Sequence, residues 1–306
     1  LQTLSISKNL MKQFHLDLFN PFGSLQLLEA KHNAIMSIRG SFNSVAYLTL
    51  VLTKNKLKTL DLCRWNVPNM VILKLDYNNL TTIPTCLESL VNVTVLNLAH
   101  NQVTHATIQK FSQMKRLREL VLSFNNLATF TLNSSEYPAS LETIELVNNN
   151  LTELDLSLVP GPSLQQLDVI HNGMVSLRDG FNSVAYLSLA LTKNKLKTLD
   201  LCRWNVPNMI ILKLDYNNLT TIPTCLESLV NVTVLNLAHN QVTHATIQNF
   251  AQMKRLRELV LSSNNLATFT LNSSEYPASL EALQLESNNL TELDLSLVPG
   301  PLLQVY

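Results

Sequence analysis

The chain is poor in glycine, in charged residues and in aromatic residues. Only 6 of its 306 residues are Gly, 14% are charged and 6% are Phe, Trp or Tyr. The 22 Lys and Arg balance the 22 Asp and Glu, so the sequence lacks the basic surplus that attracts nucleic acid or an anionic membrane surface. Apolar runs are short and interrupted by polar residues. We therefore expect neither a nucleic-acid partner nor a membrane span.

Motifs that carry catalysis are also missing from the sequence. It has no Gly-rich phosphate loop, no nucleophile elbow and no zinc-binding pair of histidines. Four histidines recur at intervals of three repeat units, roughly 15 Å at a strand spacing near 5 Å, which is too far to share a metal ion. They are His32, His100, His171 and His239. We expect no enzymatic activity, no cofactor and no metal site.

The chain is instead built on one repeat. The pattern LxxLxLxxNxL recurs in steps of 22 to 24 residues and gives 13 full units, with a partial unit that opens at Leu303. In each unit a short extended segment points alternate apolar side chains to one side, and a single unit cannot bury them. Stacked units bury them against one another. The sequence therefore predicts one leucine-rich-repeat domain over residues 1–306.

The predicted fold class is an α/β repeat. It is a leucine-rich-repeat solenoid, or horseshoe, with a parallel β-sheet on the concave face and an irregular or short-helical convex side. Residues 104–114 are compatible with a short helix, whereas 60–68 and 130–140 look extended. A column of Asn follows the strands, and its carboxamides should bond backbone groups of adjacent units that the turn would otherwise leave unpaired. This column includes Asn33, Asn55, Asn78, Asn101, Asn125 and Asn149.

A second, longer period overlies the repeat. Residues 42–162 recur as 181–301 with 110 identities in 121 positions, and the duplication defines two six-repeat blocks, 24–162 and 163–301. Of the 11 differences, eight fall at strand positions predicted to be exposed: Thr49/Ser188, Val51/Ala190, Val71/Ile210, Phe124/Ser263, Thr143/Ala282, Glu145/Gln284, Val147/Glu286 and Asn148/Ser287. This concentration favours a recognition surface that has diversified on the concave face. The alternative is that exposed positions drift freely.

The four cysteines form two pairs whose members lie one repeat apart. Cys63 and Cys86 are 23 residues apart, as are Cys202 and Cys225, and all four occupy the same position after the Asn turn. Equal positions in adjacent units are roughly 5–10 Å apart, within reach of disulfide geometry. We expect two disulfides; the alternative is buried free thiols.

Asn-x-Ser/Thr sequons are a second indication of the compartment. They are candidates for N-glycosylation, and with the paired cysteines they favour a secreted or extracellular protein. The sequons are at Asn79, Asn92, Asn133, Asn150, Asn218, Asn231, Asn272 and Asn289.

Candidate ligand-binding residues lie at the exposed strand positions of the predicted concave face. An amphipathic aromatic residue beside mixed charges is typical of an adaptable contact surface. The alternative is a solvated sheet face with local ion pairs such as Lys74–Asp76. The candidates in the first block are Lys54, Lys74, Asp76, Tyr77, Asn97, His100 and Phe124, and their copies in the second are Lys193, Lys213, Asp215, Tyr216, Asn236 and His239.

The repeat pattern resembles that of extracellular leucine-rich-repeat proteins over the whole chain. More narrowly, LTELDLSLVPGPSLQQLDVIHNGM at 151–174 and QMKRLRELVLSFNNLATFTL at 113–132 resemble segments of the secreted leucine-rich immune proteins of mosquitoes. That resemblance implies irregular coils and a role in innate immunity together with complement-like factors.

The residues and the resemblance favour a non-enzymatic recognition protein whose concave face binds a protein or a microbial surface component. The alternatives are an extracellular adhesion or matrix-binding protein, and the recognition domain of a larger receptor or enzyme. Self-association through uncovered apolar ends is also expected, because terminal repeats normally need a polar cap. The end residues concerned are Leu1, Leu4, Ile6, Leu302, Leu303 and Val305.

Overall fold

A computed structural model of the chain describes residues 1–132, 135–157, 159, 163–185, 187–271, 276–294 and 304–305. Two compact units are present, Leu1–Asn150 and Leu151–Tyr306. Two of the predicted sequons, Asn133 and Asn272, and the end residues Leu302 and Leu303 lie outside the described residues.

The first unit is organised around a parallel β-sheet with one short strand from each repeat. Each strand pairs with the equivalent residues one repeat further on, so Leu50 is in register with Leu73 and Leu73 with Leu96. The strands, in sheet order, are Thr3–Ser5, Leu27–Glu29, Thr49–Val51, Ile72–Lys74, Val95–Asn97, Glu119–Val121 and Thr143–Glu145.

The second unit repeats this arrangement. Leu189 is in register with Leu212, and Leu212 with Leu235. Its sheet strands, in order, are Gln166–Asp168, Ser188–Ala190, Ile211–Lys213, Val234–Asn236, Glu258–Val260, Ala282–Gln284 and Gln304–Val305. In both units the predicted parallel sheet of a leucine-rich-repeat solenoid is confirmed.

The core follows from the alternation of side chains along these strands. In the strand Ile72–Lys74 the central Leu73 is fully buried, whereas its two neighbours are only partly covered. Successive residues of a strand point to opposite sides of the sheet, so each strand contributes one residue inward and two outward. Complete burial of such a side chain contributes roughly 1.5–3 kcal/mol. The apolar repeat therefore fixes which side of each sheet faces solvent.

The side of each coil opposite the sheet is extended rather than helical. Its strands in the first unit are Gln13–His15, Ser37–Arg39, Phe42–Asn43, Trp65–Asn66, His105–Thr107 and Thr129–Thr131. In the second unit they are Glu153–Leu156, Ser176–Asn182, Trp204–Asn205, Ala245–Thr246, Thr268–Thr270 and Glu292–Asp294. Several of them pair in parallel with the next repeat, as Phe42–Asn43 does with Trp65–Asn66. We call this the return side.

Helical structure within the described residues is limited to single 3-10 turns on the return side. They are Leu16–Phe19, Leu87–Ser89, Ile108–Phe111, Leu226–Ser228 and Ile247–Phe250. The short helix considered for 104–114 is the turn at Ile108–Phe111, preceded by a strand. The extended interpretation of 60–68 and 130–140 agrees with the strands at Trp65–Asn66 and Thr129–Thr131.

The Asn column ties neighbouring coils together as predicted. The amide nitrogen of Asn101 donates to the carbonyl of Leu75 in the preceding coil and to that of Leu98 in its own coil, both at 3.0 Å. Its side-chain oxygen accepts from the backbone N–H of Leu80 at 2.9 Å. Asn101 is 7% exposed, so these backbone groups have no solvent to replace the carboxamide.

Both predicted disulfides are formed. Cys63 bonds to Cys86 and Cys202 to Cys225, with Cα–Cα distances of 5.0 and 4.9 Å. Each bridge joins adjacent coils on the return side. Beside the first bridge, the Asp61 carboxylate accepts from the backbone N–H of Cys63 at 3.0 Å and from the Thr85 hydroxyl at 2.9 Å, and these bonds lower its pKa.

Candidate binding face

Each sheet turns one side toward solvent, and we call it the solvent face. It corresponds to the face predicted to be concave. The outward strand residues form its middle, and its edge is a column of residues that stand directly before each column Asn. We call this edge the ladder. Its members are Lys8, His32, Lys54, Tyr77, His100, Phe124 and Asn148 in the first unit, and His171, Lys193, Tyr216, His239, Ser263 and Ser287 in the second.

Every ladder residue has a left-handed backbone. Their φ angles lie between 51° and 58°, although none is glycine. This conformation costs roughly 1–2 kcal/mol for an L-residue, and the hydrogen bonds of the adjacent Asn hold it in place. Backbone bonds between coils continue through the ladder, as from the N–H of Tyr77 to the carbonyl of Ala99 at 2.9 Å. The repeated turn therefore sets the ladder side chains one coil apart in a row.

In the first unit three successive ladder residues form a stack of rings. Tyr77 and His100 have centroids 3.9 Å apart with planes inclined by 10°, and His100 and Phe124 are 4.2 Å apart with planes inclined by 8°. The ammonium nitrogen of Lys54 lies over the Tyr77 ring, 5.3 Å from its centroid, within cation–π range. Tyr77 and Phe124 remain 43% and 41% exposed, so large aromatic surface is open to a partner.

In the second unit the stack of rings in the ladder is shorter. Tyr216 stacks on His239 at 4.0 Å with planes inclined by 13°, and the ammonium of Lys193 lies 5.6 Å from the Tyr216 ring centroid. Ser263 follows where the first unit has Phe124, so the row of rings ends at His239. Tyr216 is 46% exposed.

The stack changes the protonation of His100. Burial of the imidazole lowers its pKa, because the charged form loses solvation, and the nearby Asp76 carboxylate partly opposes this by favouring the charged form. His100 is half-buried, whereas His239, which has a ring on one side only, is exposed. Phe124 is the neighbour that differs between the two sites.

A groove crosses the solvent face of the first unit beside the ladder. Its volume is about 390 Å³, and its wall is half apolar and half polar. Glu29 and Lys31, two residues apart in one coil, form an ion pair at 2.8 Å in its wall. Asp76 accepts a hydrogen bond from the Thr53 hydroxyl at 2.8 Å. The lining residues are Leu27, Glu29, Lys31, Thr49, Val51, Thr53, Ile72, Lys74, Asp76 and Asn97.

The other predicted residues also lie on the solvent faces, but some of their side chains are already engaged in hydrogen bonds within the protein. Asp76 bonds Thr53 rather than pairing with Lys74, and Asp215 likewise accepts from Thr192 at 2.8 Å. The side-chain oxygen of Asn97 accepts from the backbone N–H of Ala99 at 2.9 Å, and that of Asn236 is used in the same way. Lys74 lines the groove, and its copy Lys213 is exposed.

One of the eight differing positions predicted to be exposed, Val51/Ala190, is buried in both blocks. Val51 is 5% exposed and Ala190 is 4% exposed, although both point to the solvent face. The reason lies in the register: Val51 stands between Glu29 and Lys74, whose longer side chains rise on either side. The remaining positions are at least partly open in both units.

Sequence reasoning missed two features of this surface. It treated the ladder histidines as isolated surface groups, whereas His100 and His239 contact aromatic rings in the neighbouring coils. It also missed the groove residues Glu29 and Lys31. The signal was available in part: aligned on the column Asn, the preceding position reads Lys, Tyr, His, Phe in four successive repeats.

The sequons differ in accessibility. Asn150 and Asn289 are exposed, whereas Asn79, Asn92, Asn218 and Asn231 are partly covered. The Asn92 amide also donates to the carbonyl of Pro68 at 2.6 Å, and that of Asn231 to the carbonyl of Pro207 at 2.6 Å. Asn150 and Asn289 therefore fit glycan attachment best among the described sequons.

These coils, strands and Asn columns are those of the leucine-rich-repeat fold. The sequence profile of the leucine rich repeat family matches residues 68–127, 91–151 and 230–290. No helix in the described part of the chain is long and apolar enough to cross a membrane. No curated protein matches the sequence.

Solved structures with the same fold include mosquito immune proteins. The APL1 leucine-rich-repeat domain has 21% identity and a TM-score of 0.63, with 94% of this chain and 74% of that chain covered. The LRIM1/APL1C complex gives 21% identity and a TM-score of 0.61, covering 92% of this chain and 55% of that chain. The functional domain of InlJ from Listeria monocytogenes, which includes a cysteine ladder, gives 20% and 0.57, covering 96% and 56%. The chain thus spans little more than half of the last two.

Proposed function

We propose that the chain is a non-enzymatic, extracellular recognition protein that binds a protein partner on the solvent faces of its two units. The observation that carries this proposal is the ladder. Tyr77, Phe124 and Tyr216 hold large aromatic surfaces in the open, each 41% exposed or more, on a rigid row fixed by backbone bonds between coils. Rigid, amphipathic rings bury area at little cost in rotamer entropy and are enriched among the residues that dominate binding energy.

The charges beside the ladder suit the same role. Lys54 and Lys193 extend over the tyrosine rings, and the groove of the first unit adds an ion pair and a hydroxyl–carboxylate bond. Mixed charges around an aromatic centre are typical of the polar rim of a protein interface. The differences between the two blocks fall mainly on these faces, which is the pattern expected of a surface selected for contact.

An immune role is the more specific part of this proposal. Its support is the likeness in fold to LRIM1 and APL1C, which form a complex with each other, together with two disulfides of the kind that persist outside the cytosol. A protein of the same class is therefore the partner to test first. A microbial surface component is the alternative ligand, and the same binding variants test it.

The test is the affinity for a partner purified from extracellular fluid with the intact protein as bait. Tyr77→Ala or Tyr216→Ala should weaken binding by about 1–3 kcal/mol, because each removes a large exposed ring from the proposed contact surface. Lys74→Ala or Lys213→Ala should mainly slow association and reduce its dependence on salt.

The matched controls lie on the return side. Lys110→Ala and Glu88→Ala should leave the affinity unchanged, because both side chains are away from the solvent face. Binding that is lost with these two changes and kept with the tyrosine changes would place recognition on the return side and overturn the proposal.

A further inference from the structure

In the first unit the ladder histidine His100 has an aromatic ring on each of its two faces. His100 lies between two rings, with Tyr77 at 3.9 Å on one side and Phe124 at 4.2 Å on the other, and the planes are within 10° of parallel. A planar group therefore fits against the imidazole at the place that Phe124 occupies.

The second unit has the same histidine without that cover. His239 stacks on Tyr216 at 4.0 Å, but the next ladder residue is Ser263, whose side chain is too short to reach across the ring. His239 is exposed as a result, whereas His100 is half-buried. The second block thus has the same stacked histidine but lacks the ring that covers it in the first.

The second block has a carboxylate close to the uncovered side of the His239 ring. Glu286 stands where the first block has Val147. The backbone N–H of Ser263 donates to the carbonyl of Glu286 at 2.8 Å, so the two residues lie in adjacent coils, next to each other. The exposed side chain of Glu286 accepts a hydrogen bond from the hydroxyl of Ser262. A carboxylate has lone pairs for several donors, so this bond leaves capacity for a ligand.

We infer that His239, Ser263 and Glu286 form a subsite for a planar cation, the guanidinium of an arginine side chain on the partner. The inference rests on the proposed function. A guanidinium is flat enough to stack in the position of the missing ring and carries N–H donors that pair with a carboxylate. A phenyl ring meets only the first requirement and an ammonium only the second. In the first unit the equivalent position is filled by Phe124, and Val147 provides no charge beside it.

The test is a titration of the full chain, with isotope-labelled histidine, monitored by NMR. The probe is N-acetyl-arginine methylamide, which has no charged termini. The ring signals of His239 should shift and saturate, while those of His100 stay in place. The citrulline analogue is planar but neutral, the lysine analogue is charged but not planar, and the phenylalanine analogue is planar and apolar. All three should shift His239 less at equal concentration.

The first block supplies the variants. Ser263→Phe should abolish the shift of the His239 ring, because it fills the uncovered side of that ring. Glu286→Val should weaken binding about two- to fivefold, the effect of losing an exposed ion pair. Ser287→Asn, another change to the first block's residue in the same coil, should have no effect. Phe124→Ser with Val147→Glu should create a second arginine response, at His100.

The subsite would be overturned by His239 signals that do not move with arginine, or by a phenylalanine probe that moves them as strongly. A response that survives Ser263→Phe would also overturn it. The two proposals can fail independently. Partner binding that is unaffected by Tyr77→Ala and Tyr216→Ala would contradict the proposed function, whereas the response of His239 to arginine would be unchanged by that result.

Discussion

The two duplicated blocks share the structure that stacks their coils, which we call the frame, and differ mainly in the side chains of the solvent face. The disulfides have Cα–Cα distances of 5.0 and 4.9 Å, and the tyrosine and histidine of the ladder stack at 3.9 and 4.0 Å. The buried pairs Phe42–Trp65 and Phe181–Trp204 are both edge-to-face, at 5.5 and 5.1 Å. Against this constancy, the changes at Phe124/Ser263 and Val147/Glu286 replace apolar with polar groups.

The difference shows that frame and face are nearly independent in this fold. The frame depends on inward Leu, on the Asn column and on the disulfides, whereas the two blocks differ mainly at outward side chains. A change on the face costs little stability because its side chain stays in solvent. A repeat protein can therefore alter what it contacts without altering how it stacks.

The sharpest way to break the frame is to remove a column Asn. Asn101→Ala and Asn240→Ala should each cost about 3–5 kcal/mol, because each change leaves buried backbone groups without partners. The two costs should be equal, since the bonds are matched within 0.1 Å. Denaturant unfolding, with hydrogen exchange of the flanking amides, measures them.

The control for this prediction is Asn148→Ser, which introduces the second block's residue on the ladder, directly before a column Asn. It should change the free energy of unfolding by less than about 0.5 kcal/mol, because the position is partly open to solvent and accepts Ser in the second block. A similar loss from Asn148→Ser and Asn101→Ala would show that Asn content, not the column, matters.

Opening a disulfide should have the next largest effect. Cys63→Ser with Cys86→Ser should cost about 3 kcal/mol, since the bridge closes a loop of 23 residues. The equivalent pair of changes at Cys202 and Cys225 should cost the same. Thermal unfolding of both double variants, each compared with the intact chain, checks this. Unequal losses would show that the two disulfides contribute differently to stability despite their matched geometry.

Exposing His100 should have a smaller effect on stability than removing a column Asn or a disulfide. Phe124→Ser removes one ring contact, worth roughly 0.5–1.5 kcal/mol, and should raise the pKa of His100 toward its ordinary value because the imidazole regains solvent. An NMR titration of the ring measures this. Phe124→Leu keeps apolar cover and should leave the pKa lowered. An unchanged pKa in Phe124→Ser would mean that Phe124 is not the source of the burial.

The sign of the pH dependence follows from the same pKa. In the folded chain His100 resists protonation, so the unfolded chain binds more protons as the pH falls below about 6.5. The contribution to stability is thus present at neutral pH and lost as the medium becomes acidic. Phe124→Ser should reduce that loss, which denaturant unfolding at two pH values detects.

Much of the frame could be predicted from sequence because its causes are local and periodic. The spacing of Leu gave the strands, the Asn column fixed the turn, and the interval of 23 residues paired Cys63 with Cys86. The predicted exposure of Val51 was wrong because burial there depends on the length of side chains in the neighbouring coils. Most strands on the return side have only two or three residues and no repeating pattern, so their pairing needed the structure.

The face was predictable residue by residue but not as an arrangement. Tyr77, His100 and Phe124 were all identified as candidates. That they stack requires knowing that every ladder residue adopts a left-handed backbone, since this sets the direction of the side chain. The uncovered side of His239 becomes visible only when the two units are compared in space.

Site-specific photo-crosslinking tests the central claim, that the solvent faces bind a protein, most directly. Benzoylphenylalanine placed at Tyr77 or Tyr216 should form a covalent adduct with one protein when the intact chain is irradiated in extracellular fluid. The same residue at Lys110 or Asn249, on the return side, should give none of that adduct. Adducts with that protein from the return-side positions alone would contradict the account.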